Sequence, residues 1–457
     1  MKKLLISFII FHLSFCPAGA QEPWSLERCI DYAVSHNISI EQYRLRLEQQ
    51  QIQLSNARNQ RLPDLNASAS QNFSFGRGLT AENTYTNTNT SSTSFSVGTG
   101  VPLFTGFQIP NQIKLSRLNL EAATQDLEKA KNDIRTQVAQ QYVQALYDME
   151  LLGVARRQVS IDSAQVARLQ ALLDVGRASR AELSQQQATL AQSQLTVTQA
   201  DNNLRLALLS LSQLLELDSP EGFTVEAPAN LSQLGETAPS NLPQLGEALE
   251  VTSAAGAVAS SWGRLEGALR PEVQAEEIRL RATENSIKIA QAGLYPTLSF
   301  SAGLGTNYYT TSGFRSDPFG KQLKNNFSQY LGLNLSIPIF NRFQTRNSIR
   351  QAKLERVNQQ LQLDQTKKTV YKEIQTAYYN TVAAQEKLRS SDEARRASED
   401  AFQLVQAKYE QGKATITEFN EAKNKYLKAQ SDYVQARYEH LYQRALLEFY
   451  RGSELVF

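Results

Sequence analysis

Two periods of hydrophobic spacing alternate along this chain. In one kind of segment the apolar positions form a helical stripe: Ile134, Val138, Tyr142, Ala145, Met149 and Leu152 step by three or four residues, and the rest of the surface is polar. In the other kind the period is two. Leu65, Ala67, Ala69, Phe73 and Phe75 alternate with Asn66, Ser68, Ser70, Asn72 and Ser74, and Phe95, Val97, Val101 and Leu103 share one face of the next run. The pattern recurs in Leu298, Phe300, Ala302, Leu304 and Tyr308, then in Leu331, Leu333, Leu335, Ile337 and Ile339, with Gly332, Asn334 and Ser336 between them. Each run is close to the ~9–11 residues of a tilted membrane strand. The links, 76–92 and 309–326, are rich in Thr, Asn, Gly and Ser and are expected to be extracellular loops. Soluble antiparallel sheets alternate as well, so the strands alone leave both readings open.

The order of elements is duplicated. Val101-Pro102-Leu103-Phe104 lies on Ile337-Pro338-Ile339-Phe340 at an offset of 236, and the same offset pairs Ile134, Val138 and Tyr142 with Val370, Ile374 and Tyr378, and Gly176 with Gly412. Two copies are too few for a solenoid, so each half reads as one large unit. Proline is absent from 111–219 and from 339–457, which predicts long helices there. Gly176 is followed by Ser179-Arg180-Ala181-Glu182, and Gly412 by Thr415-Ile416-Thr417-Glu418. In each case the glycine ends one helix in a left-handed conformation and an S/T-x-x-E capping box starts the next, which predicts two helical hairpins. The long arm 111–175 would extend roughly 98 Å and its return arm 178–217 only about 60 Å. Helical segments 38–62 and 271–295 have the missing length, so each short pair is expected to stack end to end beside a long helix.

The resulting organisation is a signal peptide (1–20), an N-terminal helical segment (21–62), a first membrane β-hairpin with its extracellular loop (63–105) and helical hairpin 1 (106–217). A connector (218–270) precedes the helical segment of the second repeat (271–295), β-hairpin 2 with its loop (296–341), helical hairpin 2 (342–451) and a C-terminal tail (452–457). The signal assignment rests on Lys2-Lys3, the apolar run from Leu4 to Phe15 and the small residues Ala18-Gly19-Ala20. Cleavage there is favoured over lipidation at Cys16, because the bulky Phe15 precedes that cysteine. It leaves Cys29 as the one thiol of the mature chain, with no partner for an intramolecular disulfide. No later run of about 18 apolar residues exists, so membrane entry would have to be as strands.

Composition removes other functions. Lys+Arg 47 against Asp+Glu 45 gives a net charge of +2, no field for a polyanion. With three His, two Cys and no HExxH, P-loop or CxxC, no enzymatic, metal or cofactor site is expected. Gly303 and Gly305 form a GxG without the third glycine of a dinucleotide fingerprint. Four strands cannot close a barrel, and open edges are not tolerated in lipid, so the strand pattern calls for several chains sharing one barrel or for a soluble core instead.

Taken with Trp24-Ser25-Leu26-Glu27 and Ala33 in the first helix, Arg270-Pro271-Glu272-Val273 opening the second half, the two Pro-x-Phe strand ends and the Gly-plus-acid tips, the chain resembles the TolC-type outer-membrane efflux proteins over 24–451. The resemblance implies a mainly α fold with membrane β: a tandem-duplicated protomer giving a trimeric twelve-stranded β-barrel continuous with a long periplasmic α-helical barrel. It implies an outer-membrane channel of a tripartite pump for small molecules or drugs, with a periplasmic adaptor and an inner-membrane pump of RND or ABC type as partners. The tips Gly176, Arg177, Ala178 and Gly412, Lys413, Ala414 match the adaptor-docking segments, although tight turns need the glycines whatever docks. Tyr409 matches a tyrosine that bonds to the acid at Glu182 as a gate latch, or is a hairpin-packing aromatic. Where the family often has an arginine completing this latch the chain has Ala414, so Lys413 or Arg180 could contribute instead. Glu418 and Glu421 match the acidic pore constriction; Glu418 also fits the capping box, whereas Glu421 has Gln185 as its repeat counterpart and no such explanation. The same architecture would serve type I protein secretion, and a non-membrane coiled-coil protein is the reading if the alternating runs are not in lipid.

Overall fold

The structure is a computed structural model that describes residues 23–79, 83–227 and 270–455. The expected signal peptide, Cys16 and most of the connector lie outside the described residues. The elements run α1 (Leu26–His36), α2 (Ile38–Asn59), β1 (Asn66–Leu79), β2 (Tyr85–Thr105), α3 (Gln108–Asp174), α4 (Arg180–Leu214), α5 (Pro271–Ala292), β3 (Thr297–Thr311), α6 (Phe319–Asn325), β4 (Ser328–Ser336), α7 (Gln344–Glu410) and α8 (Ile416–Tyr450). Among the described residues no helix is long and apolar enough to cross a membrane. The chain divides into two units, each taken by itself: one holds 23–41, 130–227 and 371–455, the other 42–79, 83–129 and 270–370.

In the second unit the four strands form one antiparallel sheet in the order β1-β2-β3-β4. Register places apolar residues in lateral rows on one face: Ala302 and Leu331; Val101, Phe300 and Leu333; and, past a bulge between Pro102 and Phe104, Phe104, Leu298 and Leu335. The opposite face carries rows such as Ser68, Ser96, Gly305 and Ser328. Leu331 is 80% and Leu333 69% exposed, an apolar face that water does not stabilise and that calls for a lipid or protein covering. Gly303, read from sequence as no dinucleotide motif, has a packing reason: a Cβ there would lie 2.5 Å from Cε1 of Tyr330.

The strands correct the expected loops. β1 and β2 pair continuously out to Leu79 and Tyr85, so most of 76–92 is strand. The Thr-rich alternation of 86–93 is itself a β pattern, with β-branched residues that suit a pleated surface. Within 309–326, β3 runs to Thr311 and α6 forms a further element. It is held by Gln322, whose side chain bonds both the N–H and the C=O of Tyr309, and by Asn326 donating to the Asn307 carbonyl. β4 stops at Ser336, short of the expected Ile337 and Ile339, because Pro338 has no N–H for a ladder. In the same unit Arg279 of α5 forks to Asp126 of α3 and Glu276, and Glu276 accepts from Gln359 of α7, so α5 is polar-bonded to both long helices.

The first unit is built on the predicted stripe. Ile134, Val138, Tyr142, Ala145 and Leu152 are buried, and Ile374, the repeat counterpart of Val138, is buried likewise. The Tyr142 hydroxyl lies 3.0 Å from the Trp24 carbonyl and 2.6 Å from that of Glu226, beneath a parallel bridge between Trp24 and Val225. The N-terminal segment and the start of the connector are thereby fixed on the helices. Asn37 donates to the Leu214 carbonyl and the Ile38 N–H to the Glu216 carboxylate, which joins the start of α2 to the end of α4. Cys29 is fully buried, and desolvation pushes its thiol up to about 12, so it is inert at neutral pH.

The lateral rows generate a test. Leu333→Arg on the apolar face should cost roughly 2–4 kcal/mol at mid-bilayer, with Asn334→Arg on the opposite face much milder. Yields of heat-modifiable oligomer in outer-membrane fractions would show this, and equal tolerance of both would contradict burial of that face in lipid.

Candidate functional site

The chemistry of interest lies at the two hairpin turns of the first unit. α3 ends at Asp174, and Gly176 has φ +71°; its N–H bonds to the Leu173 carbonyl at 2.9 Å and the Arg177 N–H to that of Leu172 at 2.7 Å, a Schellman stop. α7 ends in the same way, with Gly412 at φ +72°, Gly412 N–H to Tyr409 and Lys413 N–H to Lys408. Nothing lies within 4 Å of a Cβ built on either glycine, so conformation rather than crowding requires them. Both return helices begin in complete capping boxes, Ser179 with Glu182 and Thr415 with Glu418. Arg177, Gly412 and Lys413 are exposed, and Ala178 and Ala414 half-buried. Val175, which opens the first tip segment, is 69% exposed, an apolar side chain open to contact.

The sequence-nominated acids divide. Glu418 is held by its cap: its carboxylate accepts from the Thr415 N–H at 2.7 Å and hydroxyl at 3.0 Å, and these bonds keep its pKa below the usual carboxylate range. Glu421 is exposed, on the same side of α8, and pairs with Lys425 at 2.9 Å. That pair is solvent-screened and stabilises little, but it sets a cation one turn from the acid. Lys425 has Thr189 as its repeat counterpart, so both members are peculiar to the second copy.

Tyr409 is packed between helices. Its ring stacks on Phe419 of α8 at 5.0 Å, and the Arg168 guanidinium of α3 lies 5.0 Å from its centroid. Arg168 also donates to the Glu410 carbonyl at 3.2 Å, binding the C-terminus of α7. Desolvation raises the Tyr409 pKa, with the Glu182 charge adding to the rise and Arg168 opposing it. No hydrogen bond joins Tyr409 to Glu182 among the described residues; the Glu182 carboxylate accepts from the Ser179 N–H at 2.8 Å. Among the described residues neither Lys413, which reaches Gln411, nor Arg180 makes a hydrogen bond or cation–ring contact with Tyr409; Arg168, six residues before the end of α3, lies over its ring. Its repeat counterpart is Leu404, so the duplication gave no hint of it. Among the described residues no cluster of His, Cys, Asp and Glu could hold a metal ion.

A sheet with one apolar face and two unpaired edges, joined to helical hairpins with capped tips, is the protomer of an outer-membrane channel. The chain belongs to the outer membrane efflux protein family, which it matches over residues 29–216 and 264–453. It is 25% identical to Protein CyaE of Bordetella pertussis (strain Tohama I) over 414 residues, covering 89% of this chain and 80% of that one. Its fold is that of a membrane protein from Pseudomonas aeruginosa, at TM-score 0.74 and 19% identity over 93% of this chain and 92% of that one. It is likewise that of the Campylobacter jejuni CmeC outer membrane channel, at 0.73 and 16% over 94% and 87%. The fold class is therefore the expected one, mainly α with membrane β, in a tandem-duplicated protomer that contributes four strands and two long helical hairpins. The protein is an outer-membrane efflux channel that extends into the periplasm, and its family is one of channels.

Two outcomes follow from the turn geometry. Gly412→Val forces a β-branched residue into the left-handed region and should cost about 1–3 kcal/mol, while Gly153→Val, inside α3, should cost less; thermal melting of the oligomer compares them. Because the folded-state pKa of Glu418 is depressed, its cap stabilises the fold above the ordinary glutamate pKa and is lost as pH falls through the depressed value. The melting difference between the native protein and Glu418→Ala should accordingly be largest at neutral pH and shrink on acidification.

Proposed function

We propose that this channel is the passive exit duct of a tripartite pump, carrying small molecules or drugs from periplasm to exterior and performing no chemistry. Three copies form the duct, since the exposed sheet edges and the apolar face require neighbours. A periplasmic adaptor docks on the tips Gly176, Arg177, Ala178 and Gly412, Lys413, Ala414, and an inner-membrane pump of RND or ABC class drives transport. Exposed Val175 adds an apolar contact to that surface. Glu418 and Glu421 line the constriction, and Tyr409, held by Phe419 and Arg168 and within reach of the Glu182 charge, forms the latch that holds it closed. The observation that carries the constriction is Glu421: an exposed acid on the Glu418 side of α8 that neither the capping box nor the repeat explains.

Threefold symmetry would set three Glu421 carboxylates around the axis, with three from Glu418 one turn away, so that their fields add where bulk water is excluded. Lys425 tempers this field. Glu421→Gln should weaken cation selectivity and block by small multivalent cations without loss of trimer, Glu418→Gln should add to the effect, and Lys425→Gln should strengthen selectivity. Reversal potential across a planar bilayer under a salt gradient at low ionic strength measures it. A potential unchanged in the Glu421→Gln, Glu418→Gln double variant would reject the ring.

A further inference from the structure

The least expected feature of the first unit is a charge pair with no access to water. Lys423 of α8 and Asp162 of α3 are both fully buried and joined by an ion pair. Asp162 also accepts from Ser193 Oγ at 2.5 Å and Gln186 Nε2 at 3.3 Å, both on α4, and Gln186 in turn accepts from Asn420 of α8 at 3.3 Å. One cluster thus ties α8 to both arms of the other repeat's hairpin. Hydrophobic residues of like volume would hold these helices at least as strongly, because desolvating two charges offsets most of their attraction. What an ion pair adds is directionality: its partners meet in one register and one rotation only. The cluster is also incompletely satisfied. Among the described residues the Asn420 Oδ1 and Gln165 Oε1 atoms, both on the helices that carry the pair, are buried without a donor, which disfavours a purely stabilising role.

The duplication makes the pair one-sided. At the offset of 236, Lys423 corresponds to Gln187, Asp162 to Ser398, Gln186 to Ala422 and Ser193 to Ala429, so the pseudo-equivalent contact has no charges. Of the two return helices α8 is keyed in this way and α4 is not, and α8 carries Glu418 and Glu421. At about 100° per residue, these acids point roughly 140° and 160° away from Lys423 around the helix. Fixing Lys423 inward fixes both acids outward, and Phe419, fully buried on the Lys423 side, agrees.

We infer that the buried Asp162–Lys423 pair is a rotational key that positions α8 against helical hairpin 1 and so determines which face of α8 presents Glu418 and Glu421. The consequence for permeation rests on the constriction proposed above; the key itself does not. It is tested in the full-length trimer, with Cys16 and Cys29 changed to Ala and Leu427→Cys added on the buried face, one turn beyond Lys423. Labelling by a water-soluble maleimide reports rotation, and single-channel conductance reports the pore. Asp162→Leu with Lys423→Met should form heat-stable trimers, label at least fivefold faster than the parent and show a broadened range of conductances. The charge exchange Asp162→Lys with Lys423→Asp, which retains a pair, should return labelling toward the parent rate and decides the matter if the apolar variant does not assemble. Parental labelling in the apolar variant, or exchange variants that label faster than the parent by the same fivefold, would overturn the key. Faster labelling in the apolar variant together with a reversal potential indifferent to Glu418→Gln and Glu421→Gln would keep the key and remove the acidic ring.

Discussion

Every peptide group of a strand placed in hydrocarbon has to find a partner, since none is available from the solvent. β2 and β3 have strand neighbours on both sides within the chain; β1 and β4 have one on one side only. The free edges make one copy incomplete, and the apolar rows through Val101, Phe300 and Leu333 make it unsuited to water. Helical surfaces repeat the demand. Leu354, Val357 and Leu361 of α7 in one unit, and Leu195 and Leu206 of α4 in the other, are about half or more exposed, which suits faces that neighbouring copies cover. These surfaces thus call for assembly.

Transport has to be built around the local needs of two helical turns. Gly176 and Gly412 are where they are because a helix stop needs a positive φ, and Glu182 and Glu418 because a helix start leaves N–H groups unpaired. The docking and gating roles proposed for these residues would fall on groups that folding already requires. Those free of such duty are different in kind. Glu421 caps nothing, Arg168 reaches across from α3 to Tyr409 and Glu410, and Lys423 is a cation buried in an otherwise apolar helix face.

The duplication sharpens this division. Positions that hold the scaffold are alike in both copies: the stripe of α3 in α7, the glycine stops, the capping boxes. Tyr409, Phe419, Arg168, Lys423 and Glu421 have Leu173, Leu183, Leu404, Gln187 and Gln185 as their counterparts. The contacts among them give α8 an aromatic, cationic and ionic setting that α4 does not have.

What could be read from the sequence was what short-range physics enforces. Helical and strand periods, helix stops and starts, the duplicated order and the exclusion of catalytic motifs all depend on residues within a few positions of one another or on composition, and the long helices and four strands follow from them. The sequence also held weak signals of the rest: Lys423 interrupts the Phe419–Leu427 stripe, and Asp162 lies between the buried Ala155 and Leu169 of α3. Neither residue names its partner. Asp162 and Lys423 are 261 residues apart, Arg168 and Glu410 are 242 apart, and only helix packing brings each pair together. Tertiary structure likewise decided how far the strands run, because pairing carries the polar Thr-rich segment of β2 beyond the lipid-sized run, while Pro338 ends β4 early. A local pattern fixes which face of an element is apolar; which residue it meets depends on closing loops of hundreds of residues, and that choice is made by packing alone.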